Sequence, residues 1–139
     1  MGNSQSIIKV NFKDIQDSLN SNDTIIINTL PDHRQDCLID KTISAESEID
    51  IINKCLKDNR DVKIIIYGEC SQDDTVYKKY EQLKALGFYN VFIYIGGLFE
   101  WLLLQDIYGD DLFPTTTKTI DHLRYCGPRR IGIKAITHQ

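Results

Sequence analysis

The sequence lacks several features that would assign it to a common class at once. Its four cysteines include no Cys-x-x-Cys pair and have no histidines at the spacing of a zinc site. It has neither a secretory leader nor an apolar stretch long enough to span a membrane. We therefore expect one reduced, cytoplasmic domain that holds its core without metal, disulfide or cofactor.

Basic residues are scarce over most of the chain and concentrated near its end. The 139 residues carry a formal net charge of −4, but from Thr115 onward five basic residues face one acid, which leaves residues 1–114 at −8. Such a tail suits an acidic partner, a phosphate-rich surface or the acidic face of its own domain, and the last is the simplest. Because aromatic residues do not alternate with these charges, no nucleic acid is expected as a partner.

The first six residues match a short lipidation signal. Gly2 follows the initiator methionine and Ser6 stands four residues further on, which is the pattern Met-Gly-x-x-x-Ser/Thr of N-myristoylation. A single acyl chain holds a protein to a membrane only weakly. We predict a signal over residues 1–6 with Gly2 as the acceptor, and a weak, reversible membrane association when it is acylated.

Apolar runs and helical stripes alternate along the chain. Runs without polar alternation are typical of strands that helices bury on both faces, and they lie at residues 7–10, 24–30, 64–67 and 90–95. Helical patterns separate them: one starts after Asn11, one after Ser44 or Ser47, one runs from about Asp74 to a stop at Gly87, and one covers residues 98–107. This alternation predicts an α/β fold with a parallel sheet and right-handed crossovers. A last apolar run at residues 131–136 is either a strand or an arm.

The stretch after the third run has the most specific spacing. Seventeen residues lead from Cys70 to Gly87, nine more lead to Gly96, and Gly-Gly-x-x-x-Trp then ends at Trp101. This spacing resembles the second half of a rhodanese-like, or sulfurtransferase homology, domain of the single-domain type. The resemblance implies a central, mostly parallel five-stranded sheet with helices on both faces over residues 7–110. A C-terminal extension over residues 111–139 would follow.

The resemblance also implies a role for Cys70. In active members of the family a thiolate at the strand-to-helix loop takes the outer sulfur of thiosulfate as a persulfide and passes it to cyanide or a thiol. Backbone N–H groups of the loop hold the anionic donor. The corresponding loop positions here are Glu69, Ser71, Gln72, Asp73, Asp74 and Thr75.

The residues of this loop are unusual for an anion site. Its three carboxylates oppose both a thiolate and an anionic donor, and Asp73 and Asp74 are themselves good N-cap residues for the next helix. The family commonly places its cysteine directly after a strand-end tyrosine, but Gly68 follows Tyr67. Either the loop is longer, with glycine in the catalytic slot, or Cys70 keeps its spacing to the helix with an altered strand end.

Further departures concern arginines. The related phosphatase and arsenate reductase loops need an arginine six positions after the cysteine, and no arginine follows Cys70 before Arg124. By register, Asn28 and Leu30 stand where the family places an aspartate and an arginine in an ion pair.

Two functions remain open on the sequence alone. The leading interpretation is a binding or scaffold module with lost or weak sulfurtransferase activity, whose protein partner the sequence does not name. The alternative is an active thiosulfate or persulfide sulfurtransferase with Cys70 as nucleophile. In either case we expect Ile120 and Leu123 of the extension to pack on the body of the domain or on a second subunit.

Overall fold

A computed structural model describes residues 6–131. In this part of the chain four β-strands alternate with four α-helices, and two short 3₁₀ helices lie in the connections. The strands are β1 (Lys9–Val10), β2 (Thr24–Asn28), β3 (Lys63–Tyr67) and β4 (Val91–Tyr94). The α-helices are α1 (Phe12–Ser18), α2 (Ala45–Asp58), α3 (Thr75–Leu86) and α4 (Gly97–Tyr108), and the 3₁₀ helices are Asp32–Arg34 and His122–Tyr125.

All four strands run parallel in the spatial order β1-β4-β3-β2. The central strand β3 places Ile64 opposite Ile25 of β2 and opposite Val91 of β4. The parallel sheet predicted from the apolar runs is confirmed. Among the described helices, none is both long enough and apolar enough to cross a membrane.

The expected count of five strands is wrong for residues 6–131, where the sheet has four. Beside β2 the chain makes an isolated parallel bridge between Ile26 and Thr42, and a second isolated bridge, which is antiparallel, joins Ile39 to Thr115. Lys41 has a φ of 70°, in the left-handed region, which interrupts extended backbone beside the bridge at Thr42. The Ile39 amide donates to the hydroxyl of Tyr67 instead of to a neighbouring strand.

Both faces of the sheet are buried, as predicted for strands between crossover helices. Successive β3 residues point to opposite faces, so Ile64 and Ile66 belong to one hydrophobic cluster and Ile65 and Tyr67 to another. The first cluster includes side chains of α2 and α3, and the second includes side chains of α1, α4 and the extension. Gly87 ends α3 with a φ of 116°, as the sequence predicted for a C-terminal glycine.

The extension packs on the body through aromatic residues. Phe113 and Tyr125 are buried in the second cluster, and the Trp101 indole N–H donates to the Pro114 carbonyl at 3.0 Å. Ile120 and Leu123 instead remain 91% and 72% exposed. The expectation that these two residues pack on the body is therefore wrong, because the short 3₁₀ helix turns Tyr125 inward and Leu123 outward. Their packing on a second subunit stays a prediction.

Two predicted features lie mainly or wholly outside the described residues. These are the lipidation signal at Gly2 and the apolar run at residues 131–136, of which only Ile131 falls inside.

Candidate functional site

Cys70 lies in the loop between β3 and α3, at the carboxyl edge of the parallel sheet. The strand ends at Tyr67 and the helix begins at Thr75, so Gly68 and Glu69 separate the cysteine from the strand. Cys70 is a free thiol with only 7% of its surface exposed. The loop residues that the sequence singled out are all found together here. Ligand crevices of open α/β sheets lie at this edge.

The carboxylate of Asp73 occupies the inside of the loop. One of its oxygens accepts the Glu69 amide at 2.9 Å, and the other accepts the Thr75 amide at 3.0 Å and the Thr75 hydroxyl at 2.5 Å. Gly68 makes room for it, since a Cβ at that position would lie 2.8 Å from Asp73 Cγ. The capping role expected of Asp73 is present, whereas Asp74 sits at the N-cap without a side-chain hydrogen bond. The negative charge at the N-terminus of α3 thus belongs to the protein itself.

The N-terminus of α4 supports the same loop from the other side. The Leu98 amide donates to the Gly68 carbonyl at 2.9 Å, and the Phe99 amide donates to the Glu69 carbonyl at 2.8 Å. The Gly96-Gly97 turn that carried the family resemblance therefore fixes the backbone leading to Cys70.

Arg34 pairs with one of the three loop carboxylates. Its Nη1 lies 2.5 Å from Glu69 Oε2 in a partly buried ion pair, and the same nitrogen donates to the Arg124 carbonyl at 2.8 Å. One guanidinium therefore joins the loop to the extension. Sequence reasoning missed this contact, because Arg34 stands 35 residues before Glu69 and in no motif.

The extension is fastened beside the loop by a second arginine. Arg124 donates to the two carboxylate oxygens of Asp36 at 3.1 and 3.2 Å, and these hydrogen bonds hold the pKa of the Asp36 carboxyl below its ordinary value. Both guanidinium groups lie over the ring of buried Tyr125, at 5.3 Å for Arg124 and 5.9 Å for Arg34. Burial raises the pKa of the Tyr125 phenol. At Arg124 the basic tail meets its own domain.

The extension then crosses directly over Cys70. A Cβ built on Gly127 would lie 2.8 Å from Cys70 Sγ and 3.2 Å from Gln72 Oε1. A cavity of about 320 Å³ remains between the loop and the extension, lined by Cys70, Asp74 and Arg130 among others. The basic tail was expected on an acidic face of its own domain, but no sequence pattern placed Gly127 or Arg130 at this loop, because their approach to it is purely tertiary.

A neutral amide pair braces the end of β2. The Gln35 side chain donates to Asn28 Oδ1 at 2.7 Å, the Asn28 amide returns a hydrogen bond to Gln35 Oε1 at 3.2 Å, and Leu30 N–H also donates to Asn28 Oδ1 at 2.9 Å. Asn28 thus has a side-chain partner in Gln35, and Leu30 contributes only its backbone N–H. Among the described residues, no group of three or more histidine, cysteine or acidic side chains is placed to hold a metal.

A buried strand leads to a cysteine in a loop that opens a helix, and the parallel sheet is covered on both faces. This arrangement places the chain among the α/β domains that carry a cysteine in a strand-to-helix loop. A family model described as Rhodanese-like domain matches residues 11–104. The chain belongs to the rhodanese-like domain family, as the spacing around Cys70 predicted.

Solved structures show the same fold in proteins of low sequence identity. The single domain sulfurtransferase RDL2 of Saccharomyces cerevisiae is 17% identical with a TM-score of 0.56, over 81% of this chain and 100% of that one. The Alr3790 protein of Anabaena sp. is 18% identical with a TM-score of 0.55, over 85% and 100%. The As-Sb reductase of Leishmania major is 15% identical with a TM-score of 0.56, over 84% and 89%. No curated protein sequence matches the chain.

Proposed function

We propose that this chain is a rhodanese-like binding or scaffold module whose sulfurtransferase activity is lost or weak. The observation that supports this proposal most directly is the position of Asp73, whose carboxylate already accepts the Glu69 and Thr75 amides. In an active loop such amides would receive the anionic sulfur donor. A donor entering here has to displace an internal carboxylate that is held at the helix N-terminus.

Electrostatics and access support the same conclusion. Asp73 and Asp74 both lie near the thiol, and an anionic donor is repelled by them while Arg34 offsets only Glu69. Cys70 is almost entirely buried, and Gly127 lies against its sulfur. A module of this kind would act through its surface, as a pseudoenzyme.

The second candidate is a thiosulfate or persulfide sulfurtransferase, and one observation favours it. Arg34 neutralises Glu69, and Arg130 lines the cavity in which Cys70 lies, so two basic groups stand close to the loop. In this reaction the Cys70 thiolate attacks the outer sulfur of thiosulfate, and the sulfur–sulfur bond breaks to release sulfite. Cyanide then takes the outer sulfur of the persulfide as thiocyanate, and the thiolate is restored.

Sulfur loading separates the two candidates. The purified protein is treated with thiosulfate, and intact mass is searched for one added sulfur that is removed by cyanide. We expect no such adduct in the native protein. An adduct that disappears in Cys70→Ala would contradict the binding-module proposal and establish the enzyme.

A pair of variants tests whether Asp73 is the cause. Asp73→Ala removes the carboxylate that holds the two amides, whereas Asp74→Ala removes a neighbouring carboxylate without side-chain capping bonds. If the internal carboxylate blocks the site, sulfur loading should rise above background in Asp73→Ala and stay at background in Asp74→Ala. Equal sulfur loading above background in the two variants would mean that repulsion by the carboxylate charges, and not occupation of the amides, suppresses loading.

A further inference from the structure

The segment that crosses Cys70 is anchored at Arg124 and Tyr125, and its described residues 127–131 are held more loosely. At Arg124 and Tyr125 it is fixed by the Asp36 ion pair, by the hydrogen bond from Arg34 and by burial of the phenol ring. After Tyr125 the side chains face solvent: Pro128, Arg129, Arg130 and Ile131 are exposed.

Beyond the anchor, the segment only packs against the loop of Cys70. Within the described part of the chain, residues 127–131 make no hydrogen bond or ion pair with the body of the domain. Their close approach to the loop occurs at Gly127, whose φ is 90° and whose missing side chain leaves space for Cys70 Sγ. Segments with few buried contacts and no hydrogen bonds to their surroundings open locally at low free-energy cost.

We propose that residues 126–131 form a hinged cover over Cys70. In the closed state Gly127 shields the thiol, and in the open state the segment swings about the anchor at Arg124 and Tyr125 and exposes it. The cover goes beyond the proposed function, because it decides when Cys70 can meet any reagent or partner, whether or not the loop transfers sulfur.

The cover also brings charge to the loop. Arg130 lines the cavity together with Asp73 and Asp74, so the closed state sets a cation against the acidic loop. Attraction between such exposed groups is screened by salt. Opening should therefore become more frequent as the ionic strength rises.

The first test uses two glycines with the same backbone constraint. Gly127→Ala places a methyl group 2.8 Å from Cys70 Sγ, whereas Gly109→Ala, at a φ of 97°, meets nothing within 4 Å. Each variant is made in a Cys126→Ser background, and the rate at which neutral iodoacetamide modifies Cys70 is measured by peptide mass spectrometry. We expect faster modification of Cys70 in Gly127→Ala and the background rate in Gly109→Ala.

The second test loosens the anchor without touching the cover. Arg124→Gln removes the ion pair with Asp36, and Lys118→Gln removes the same charge from an exposed pair with Asp110 elsewhere in the extension. From the usual strength of exposed ion pairs, Arg124→Gln should speed the reaction at Cys70 by about two- to fivefold, and Lys118→Gln should leave it unchanged. Loss of a nearby positive charge by itself would slow a thiolate, so acceleration reports opening.

Buried Cys37 is the internal reference for larger unfolding, since it is 0% exposed. Selective acceleration at Cys70 in Gly127→Ala and in Arg124→Gln supports the hinged cover. The proposal is overturned if either variant reacts no faster than its matched control, or if Cys37 accelerates in step with Cys70.

Discussion

The ion pair between Asp36 and Arg124 lies at the surface and has a structural role. Its two hydrogen bonds fasten the extension beside the loop of Cys70, and they stabilise the charged form of the carboxylate. Because the pKa of Asp36 is lower in the folded protein than in the unfolded chain, the pair contributes stability at neutral pH. That contribution is present above the ordinary value of 3.8 and is lost as the pH falls through the lower pKa of the folded state.

The Asp36 carboxyl should therefore titrate below 3.8 in the native protein, and its midpoint should move toward 3.8 in Arg124→Gln, since the hydrogen bonds from Arg124 are the largest cause of the shift. An NMR titration of the side-chain carboxyl carbon measures both midpoints. A native midpoint at or above 3.8 would contradict the role assigned to the pair.

At the scale of elements, the buried side chains that hold the extension are the aromatic Phe113 and Tyr125. Its aliphatic Ile120 and Leu123 stay exposed. Phe113 packs against Trp101 with ring centroids 5.0 Å apart, and it is only 2% exposed. Phe113→Ala should lower the free energy of unfolding by about 3–5 kcal/mol, the usual cost of emptying a buried aromatic site. Ile120→Ala, at a side chain that is 91% exposed, should change it by less than about 0.5 kcal/mol.

Chemical denaturation of both variants measures the difference. Similar losses of unfolding free energy in the two variants would show that Ile120 packs on something in solution. A second subunit would then be tested first, by measuring the oligomeric state. Loss of Phe113 without effect would mean that the extension contributes little to the core.

The elements also show which features of the protein can be predicted from its sequence. Strands and helix ends could be predicted because their signals are local: the run at Ile64–Ile66 is apolar throughout, and Gly87 stops a helical stripe. The capping by Asp73 was predictable for the same reason. The fifth strand came from the resemblance alone, and the bridge at Thr42 replaces it.

The candidate site was predictable only in part. Spacing located Cys70 and its loop, since both depend on a short stretch of chain. Arg34, Gly127 and the Asn28–Gln35 pair were missed, because each meets its partner through the tertiary fold and carries no periodic or motif signal. The inward turn of Tyr125 and the outward turn of Leu123 were missed because both look equally apolar in sequence.

At the scale of the whole molecule, the predicted attachment to a membrane depends on acylation of Gly2. In cells that contain an N-myristoyltransferase, we expect part of the protein to carry the acyl mass on Gly2 and to sediment weakly with membranes, because one chain gives marginal binding. Intact mass and fractionation measure both effects, with Gly2→Ala as the control. A native terminus that is unmodified or only acetylated would remove the tether.

The strand order has a consequence for folding during synthesis on the ribosome. Among the described strands, Lys9–Val10 is synthesised first but pairs with Val91–Tyr94, which is synthesised last, so its partner is missing until the other three strands have been made. The pair β2 and β3 can assemble earlier, but one side of the growing sheet stays open meanwhile. Such late, distant pairing is intrinsically slow and leaves unpaired strand edges exposed during synthesis. The four-stranded sheet therefore grows from the β2 edge to the β1 edge, and β1, although made before the other described strands, is the last of them to pair.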